Sequence, residues 1–218
     1  MEYLSSMSSL LFTLGLAAVA GVTLCAMLAR RRQIGSVRSL SREWHLNYSA
    51  EDLIGLHERY YDLHLIRQGH RRQVSHILHG VTPEGLVSLF CYRYDLGFGV
   101  NQTGRQWWMA VIETPKARSA WIACPADRQF ATLTAPYPHT GKAAGFTVSR
   151  EGGGDGEGAD LVDLESILKD VPACGCAEVR QRLVAIALPF RPDAETPRQV
   201  LTAVRRVAGQ IEHLEAKE

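Results

Sequence analysis

The stretch from Leu10 to Leu28, LLFTLGLAAVAGVTLCAML, contains no charged residue and limits what the rest of the chain can be. Its only hydroxyls, on Thr13 and Thr23, can bond back to carbonyls of their own helix. About 20 such residues in a helix cross the roughly 30 Å hydrocarbon layer of a bilayer. A buried core helix is the alternative, but core helices are usually shorter or carry a polar face. A secretory signal peptide would need a basic start, a shorter apolar core and a small-x-small cleavage site. Here the preceding MEYLSSMSS has one acid and no Lys or Arg, and Arg30, Arg31 and Arg32 follow the run almost directly. Positive residues stay on the cytoplasmic side. The expectation is an uncleaved anchor with a basic flank over residues 1–33. It crosses the inner (plasma) membrane once through residues 10–28, with the N-terminus outside and residues 34–218 as a cytoplasmic domain. Ala17 and Gly21 form one small-xxx-small pair, which leaves room for a homo-oligomer.

The mean hydropathy of the whole chain is only −0.09, so the apolarity is concentrated in this run and a polar domain hangs from it. Over 218 residues, 24 Lys+Arg against 23 Asp+Glu leave a net charge of +1, so no general nucleic-acid footprint is present. The exception is local: Arg30, Arg31, Arg32, Arg38 and Arg42 are opposed nearby only by Glu43. A basic residue beside an anionic leaflet contributes roughly 1 kcal/mol, which makes Arg30, Arg31 and Arg32 candidate membrane-surface contacts as well as determinants of topology. The cysteines, Cys25, Cys91, Cys124, Cys174 and Cys176, are odd in number and scattered. They read as free thiols in a reducing compartment.

Periodicity then orders the domain. SVRSLSREWHL places Val37, Leu40 and Trp44 on one side of a short helix. SAEDLIGLHERYYDL reads as a second, with Ser49 as cap and Leu53, Leu56, Tyr60 and Leu63 at helical spacing. QVSHILHGV, the turn TPEG, LVSLFCYRY, the loop DLGFGVNQTGR and QWWMAVIET read as a three-stranded antiparallel meander. AWIAC and GFTVS suggest further strands. REGGGDGEGAD, about residues 150–160, reads as a flexible acidic loop, followed by a short helix in LVDLESILKD and a long strand in EVRQRLVAIALPF. The last segment is a helix: Thr196 as cap, Pro197 at the first turn, Gln199 completing a capping box, and Val200, Val204, Val207, Ile211 and Leu214 in one stripe. The class is α+β: an N-terminal transmembrane helix, then a mostly antiparallel sheet packed by short N-terminal helices and a C-terminal helix.

The order RQGHRRQVSHILHGV, then FCYRYDLG and RQWWMAVIE, resembles a group of uncharacterised bacterial single-pass membrane proteins that carry a small α+β domain of unknown function. The resemblance covers Trp44 to Pro115 and, more loosely, the final strand and helix. It implies the fold but no catalytic residue and no cofactor.

No chemistry announces itself locally. His45, His57, His64, His70, His76 and His79 crowd the first half, yet a metal site needs three or four ligands converging at about 2 Å. His76 and His79 would share a helix face but lie in a segment that reads as strand, where residues three apart point to opposite sides. Cys174 and Cys176 in ACGCA lack the Cys-x-x-Cys spacing of a redox pair, and any metal they held would need partners elsewhere. Cys91 and Cys124 lie in apolar strands as small hydrophobes. There is no Gly-x-Ser-x-Gly and no phosphate loop. Metal ligands, catalytic residues and cofactors are therefore not assigned.

Trp107 and Trp108 are adjacent on a strand and must face opposite ways. If one lies in a core, the other is either covered by a helix or open as a binding surface for a partner protein or lipid. The expected function is a membrane-anchored, non-enzymatic binding or scaffold module for a partner protein or the membrane surface. The alternative is a membrane-tethered hydrolase or metal-dependent enzyme whose site leaves no sequence motif.

Overall fold

The computed structural model describes residues 15–25, 27, 35, 37–125, 137, 139–150 and 164–215. Seven strands build one antiparallel sheet among these residues. They are β1 (Asn47–Glu51), β2 (His70–Thr82), β3 (Gly85–Leu96), β4 (Thr103–Pro125), β5 (His139–Ala143), β6 (Phe146–Arg150) and β7 (Cys176–Pro189). The path runs β1-β2-β3-β4-β6-β5, and β7 pairs with β4 on its other edge. The α+β class follows from this sheet and its helical cover.

The expected meander is present as β2, β3 and β4, closed at its first turn by Gly85. At Gly85 φ is 139°, and a Cβ would stand 2.2 Å from the Glu113 carbonyl oxygen, so only glycine lets β3 begin against β4. Gly69 has the same constraint before β2: φ is 61°, and a Cβ would fall 2.4 Å from the Asp95 carbonyl. That accounts physically for the Gln-Gly pair ahead of the first long strand.

Strand β4 is longer than its sequence suggests. QWWMAVIET and AWIAC read as two strands, yet the chain runs through as one. Its first half lies between β3 and β7 and its second between β6 and β7. Between them the β4–β7 register shifts on either side of the Arg118–Gln181 pair. Pro115 falls inside that irregular stretch, where β4 pairs with neither neighbour, so its missing N–H costs no ladder bond. Thr114 and Arg182 bridge the gap instead: Arg182 Nε donates to the Thr114 carbonyl at 3.1 Å, and Thr114 Oγ1 donates to the Arg182 carbonyl at 3.3 Å.

The sheet is buried on both faces. Along β3, Leu89 and Cys91 enter one layer while Phe90, Tyr92 and Tyr94 enter the other. Along β4, Trp108, Ala110 and Ile112 alternate in the same way with Trp107, Met109 and Val111. The C-terminal helix (Glu195–Glu215) covers the first layer with Val200, Leu201, Val204 and Val207, all fully buried, helped by Val37 and Leu40 from the helical residues 37–43. Leu164, Ile167 and Leu168 of a short helical segment join it. Arg205 donates to both Glu84 oxygens at 2.9 and 2.7 Å and lies over the Trp44 ring at 4.8 Å, tying that helix to the β2–β3 turn.

The second layer is closed by two one-turn helices, Leu56–Arg59 and His64–Arg67, through Leu56, Tyr60, Leu63, Leu65 and Ile66. The helix read over SAEDLIGLHERYYDL is shorter than expected. Ser49 lies in β1, where its hydroxyl donates to the Glu51 carbonyl. Asp52 is the cap in its place, accepting from the Leu56 and His57 backbone N–H groups at 2.9 and 3.4 Å. Leu53 is exposed. The C-terminal helix also has a different cap: Asp193 Oδ1 accepts from the Thr196 N–H at 2.7 Å and from its hydroxyl at 2.6 Å. The acidic loop of residues 150–160 lies outside the described residues apart from Arg150, and Arg30, Arg31 and Arg32 lie outside them altogether.

Residues 15–25 of the apolar run are helical, and the Thr23 hydroxyl bonds back to the Val19 carbonyl at 2.6 Å. Among the described residues no helix is long and apolar enough to cross a membrane; the rest of the run, apart from Met27, lies outside them.

Docking of the C-terminal helix generates a stability test. Ile211, 8 % exposed, sits in the buried stripe, and Ile211→Asp forfeits about 1.5–3 kcal/mol of burial and adds an unpaired carboxylate. Urea unfolding of the variant is expected to lose about 3 kcal/mol or more, and an unchanged midpoint would mean that the helix does not hold the fold.

Candidate functional site

Polar side chains converge at one place in the second layer, where the helix Leu56–Arg59 meets the end of β2, the start of β3 and the middle of β4. His79 and Ser88 are directly opposed on β2 and β3, with His79 Nδ1 and Ser88 Oγ 2.8 Å apart. Ser88 Oγ is also 2.8 Å from the Tyr60 hydroxyl. That hydroxyl donates to Glu113 Oε1 at 3.1 Å. Arg59 closes the chain with a bidentate pair, Nε to Glu113 Oε1 at 2.6 Å and Nη2 to Oε2 at 3.1 Å. Five residues from four elements thus form one continuous relay.

Electrostatics follow from that geometry. Burial pushes the Glu113 carboxyl up, but the hydrogen bonds from Arg59 and Tyr60 and the Arg59 charge outweigh it and hold it below the usual carboxylate range. Burial lowers His79, and the Arg59 charge lowers it further, so the imidazole is neutral near pH 7. Burial likewise raises the Tyr60 hydroxyl and keeps it protonated as a donor. A serine beside a neutral histidine is the pairing from which nucleophilic catalysis is built. Here Ser88 is fully buried and Tyr60 occupies its other side. The arrangement fixes the helix to the sheet and keeps the Ser88 hydroxyl out of contact with solvent.

A second buried polar contact holds the neighbouring helix. Glu178 on β7 is fully buried and accepts from the backbone N–H groups of His64 and Leu65 at 2.6 and 2.9 Å. Burial pushes its carboxyl up to about 7 against those two donors. Close by, Leu65, Tyr92, Tyr94, Trp107, Met109 and Ala187 line a small apolar crevice.

The tryptophans occupy the two cores. Trp108 is fully buried against the C-terminal helix layer, stacked on Phe190 at 6.1 Å. Its indole N–H finds no acceptor among the described residues. Trp107 is 8 % exposed and lies in the layer beneath the one-turn helices. Neither forms an open aromatic face, because the sheet is covered on both sides. The exposed apolar side chains of this region are in the adjacent β3–β4 loop: Phe98, 81 % exposed and stacked on His70 at 4.6 Å, and Val100.

The histidines are dispersed. His76 Nδ1 is 3.1 Å from the Tyr48 hydroxyl, His57 lies edge-on to Tyr61, and His64 pairs with Gln68 at 2.8 Å. Among the described residues no three His, Cys, Asp or Glu side chains are grouped to hold a metal. Cys174 is exposed, Cys176 buried and Cys91 buried against Gln106. The sequence reading did not find Arg59, Tyr60, Ser88, Glu113 or Glu178. The available signal was a polar residue at an inward position of an apolar strand, Ser88 in LVSLF and Glu113 in MAVIE.

Two substitutions test these contacts. Tyr60→Phe removes the hydroxyl that links Ser88 to Glu113 and is expected to cost about 1–2 kcal/mol in thermal or urea unfolding. Because Glu178 titrates higher in the fold than its usual 4.5, the folded state binds more protons between those values. Its contribution to stability is fully present below the ordinary carboxylate range and is lost as pH rises through about 7. The melting temperature of the wild type relative to Glu178→Gln is therefore expected to fall between about pH 5 and about pH 8; a difference independent of pH contradicts the assignment.

No family model matches the chain, and no curated protein matches it. Among solved structures, the chain is similar to the crystal structure of the mycobacterial trehalose monomycolate transport factor A, TtfA. The TM-score is 0.56 at 12 % sequence identity, over 84 % of this chain and 94 % of that one. At that identity the likeness is one of fold.

Proposed function

We propose that this chain, which shares its fold with a transport factor of unlike sequence, is a single-pass membrane protein whose domain is a non-catalytic binding or scaffold module at the inner face of the membrane. The observation that carries the anchor is the surface of the helical residues 15–25. Leu16, Val19, Val22 and Leu24 are 61, 67, 71 and 59 % exposed, so this helix offers its apolar side chains outward and not to the domain. In water that exposure is unfavourable by about 25 cal/mol per Å² of apolar surface, and a hydrocarbon layer removes the cost. The run Arg30, Arg31 and Arg32 after the apolar stretch supports a domain on the cytoplasmic side, beside anionic headgroups that attract basic residues.

The module reading rests on the closed polar relay and on the neighbour. The side chains that could do chemistry at Ser88 and His79 are engaged with one another beneath Tyr60. The similar structure is named for the transport of trehalose monomycolate, which favours a supporting role in lipid handling at a membrane. The Phe98–Val100 loop is the most exposed apolar feature of the sheet end and is the surface offered to a protein partner. A hydrolase is the second reading, favoured by the 2.8 Å Ser88–His79 contact alone.

A reporter fused after Glu218 tests the topology: it is expected to be active in the cytoplasm and inactive outside, with the chain in the membrane fraction. Neutralising Arg30, Arg31 and Arg32 is expected to weaken that preference. Recovery of a cleaved, soluble chain would overturn the anchor.

A further inference from the structure

Strands β4 and β7 run antiparallel with Ala123 opposite Ala177, so the next pair along the ladder is Cys124 and Cys176. In either kind of antiparallel pair the Cα atoms stand about 4.5–5.5 Å apart. That lies inside the span of about 4.4–6.8 Å that a disulfide bridges. Both side chains project into the same layer, Cys176 buried and Cys124 half-buried against it. The other three cysteines have no such opposite number. Cys25 is exposed on the N-terminal helical residues, Cys91 enters the opposite face of the sheet, and Cys174 is exposed ahead of β7.

We propose that Cys124 and Cys176 are a redox site, forming a reversible cross-strand disulfide by exchange with a low-molecular-weight disulfide. Cys124, the accessible member, attacks one sulfur of the small disulfide as its thiolate and releases one thiol, leaving a mixed disulfide. Cys176 then attacks the Cys124 sulfur and releases the second thiol. The two protein thiols are oxidised, one small disulfide is reduced, and their two protons end on the departing thiols. Burial holds the Cys176 thiol well above its ordinary range, so the second step is the slow one. In a reducing compartment the pair rests as two thiols and closes when the small-disulfide pool rises.

The bond would staple the second half of β4 to the start of β7 across about 50 residues of chain. It also has a neighbour of consequence. Glu178 is two residues along β7 on the same face and holds the helix His64–Arg67 by its backbone. Oxidation therefore fixes the strand end that carries this contact. The inference stands on the β4–β7 register and does not depend on the membrane anchor.

The test uses the full chain in detergent, equilibrated with oxidised glutathione or with dithiothreitol, denatured, and labelled with a maleimide that adds mass at each free thiol. The reduced chain is expected to take five labels and the oxidised chain three. A tryptic digest of the oxidised chain should link the peptide of residues 119–128 to that of residues 170–180. The link should survive Cys174→Ser and vanish in Cys176→Ser and Cys124→Ser, and oxidation should raise the melting temperature by about 5–15 °C. Five labels after oxidation, a glutathione adduct on Cys124 with no linked peptide, or a link that persists in Cys176→Ser would each overturn the proposal. The wild-type label count decides the matter even where a variant fails to fold.

Discussion

The central strands of this sheet, β3, β4 and β7, have no wet face, and most other features answer to that constraint. An antiparallel sheet commonly packs one side and solvates the other. Here β3, β4 and β7 bury both sets of alternating side chains, so two separate covers are required. The C-terminal helix supplies one in a single long element. The other is assembled from two one-turn helices that could not be stable alone. Fully buried Leu56, Tyr60, Leu63 and Ile66 hold them down, and their backbone termini are satisfied by Asp52 and Glu178.

That difference explains where the polar groups are. A long amphipathic helix docks by its stripe and needs only rim contacts such as Arg205 with Glu84 at 2.7–2.9 Å and Arg198 with Glu43 at 2.5–2.6 Å. A one-turn helix leaves most of its N–H and C=O groups without intrahelical partners. The carboxylates of Asp52 and Glu178 make good that deficit at the helix starts, and the Arg59–Glu113–Tyr60–Ser88–His79 relay ties the first helix to the sheet through side chains, at the cost of desolvating its members. Burial and the Arg59 charge account for the shifted titration of His79; burial together with its hydrogen-bond partners accounts for that of Glu113 and Glu178.

The C-terminal helix and the β2–β3–β4 meander were legible because their periods, 3.6 and 2, repeat over many residues and their ends carry Pro or Gly. The one-turn helices were overextended because the apolar spacing of Leu53, Leu56, Tyr60 and Leu63 looks continuous, although Leu53 is exposed and residues 47–51 pair with β2. NYSAE has no apolar alternation, so β1 takes its conformation from its partner. The two strands read in QWWMAVIET and AWIAC are one, because the β4–β7 irregularity absorbs Pro115 between them. The relay was beyond reach: Arg59 and Glu113 are 54 positions apart, and only the folded sheet brings them together. The tryptophan pair was correctly read as facing two ways, but the second cover, built from short local turns, was too weakly patterned to show that both faces close.

The pairing of β7 with β4 also sets an order of assembly. Ala123 and Ala177 are about 50 residues apart in sequence, and Trp107 and Pro189 about 80. Such contacts form late, because the loop must close before they return any free energy. During synthesis, at roughly 5–20 residues per second, β4 emerges on the order of several seconds before β7. Through that interval the edge carrying Met109, Ala110, Val111 and Ile112 has hydrogen-bonding groups with no strand beside them. An apolar open edge is a template for another chain. The nascent protein therefore passes through a stage at which strand exchange with a second copy competes with its own completion, and a holding chaperone would act on this edge before any other part of the domain.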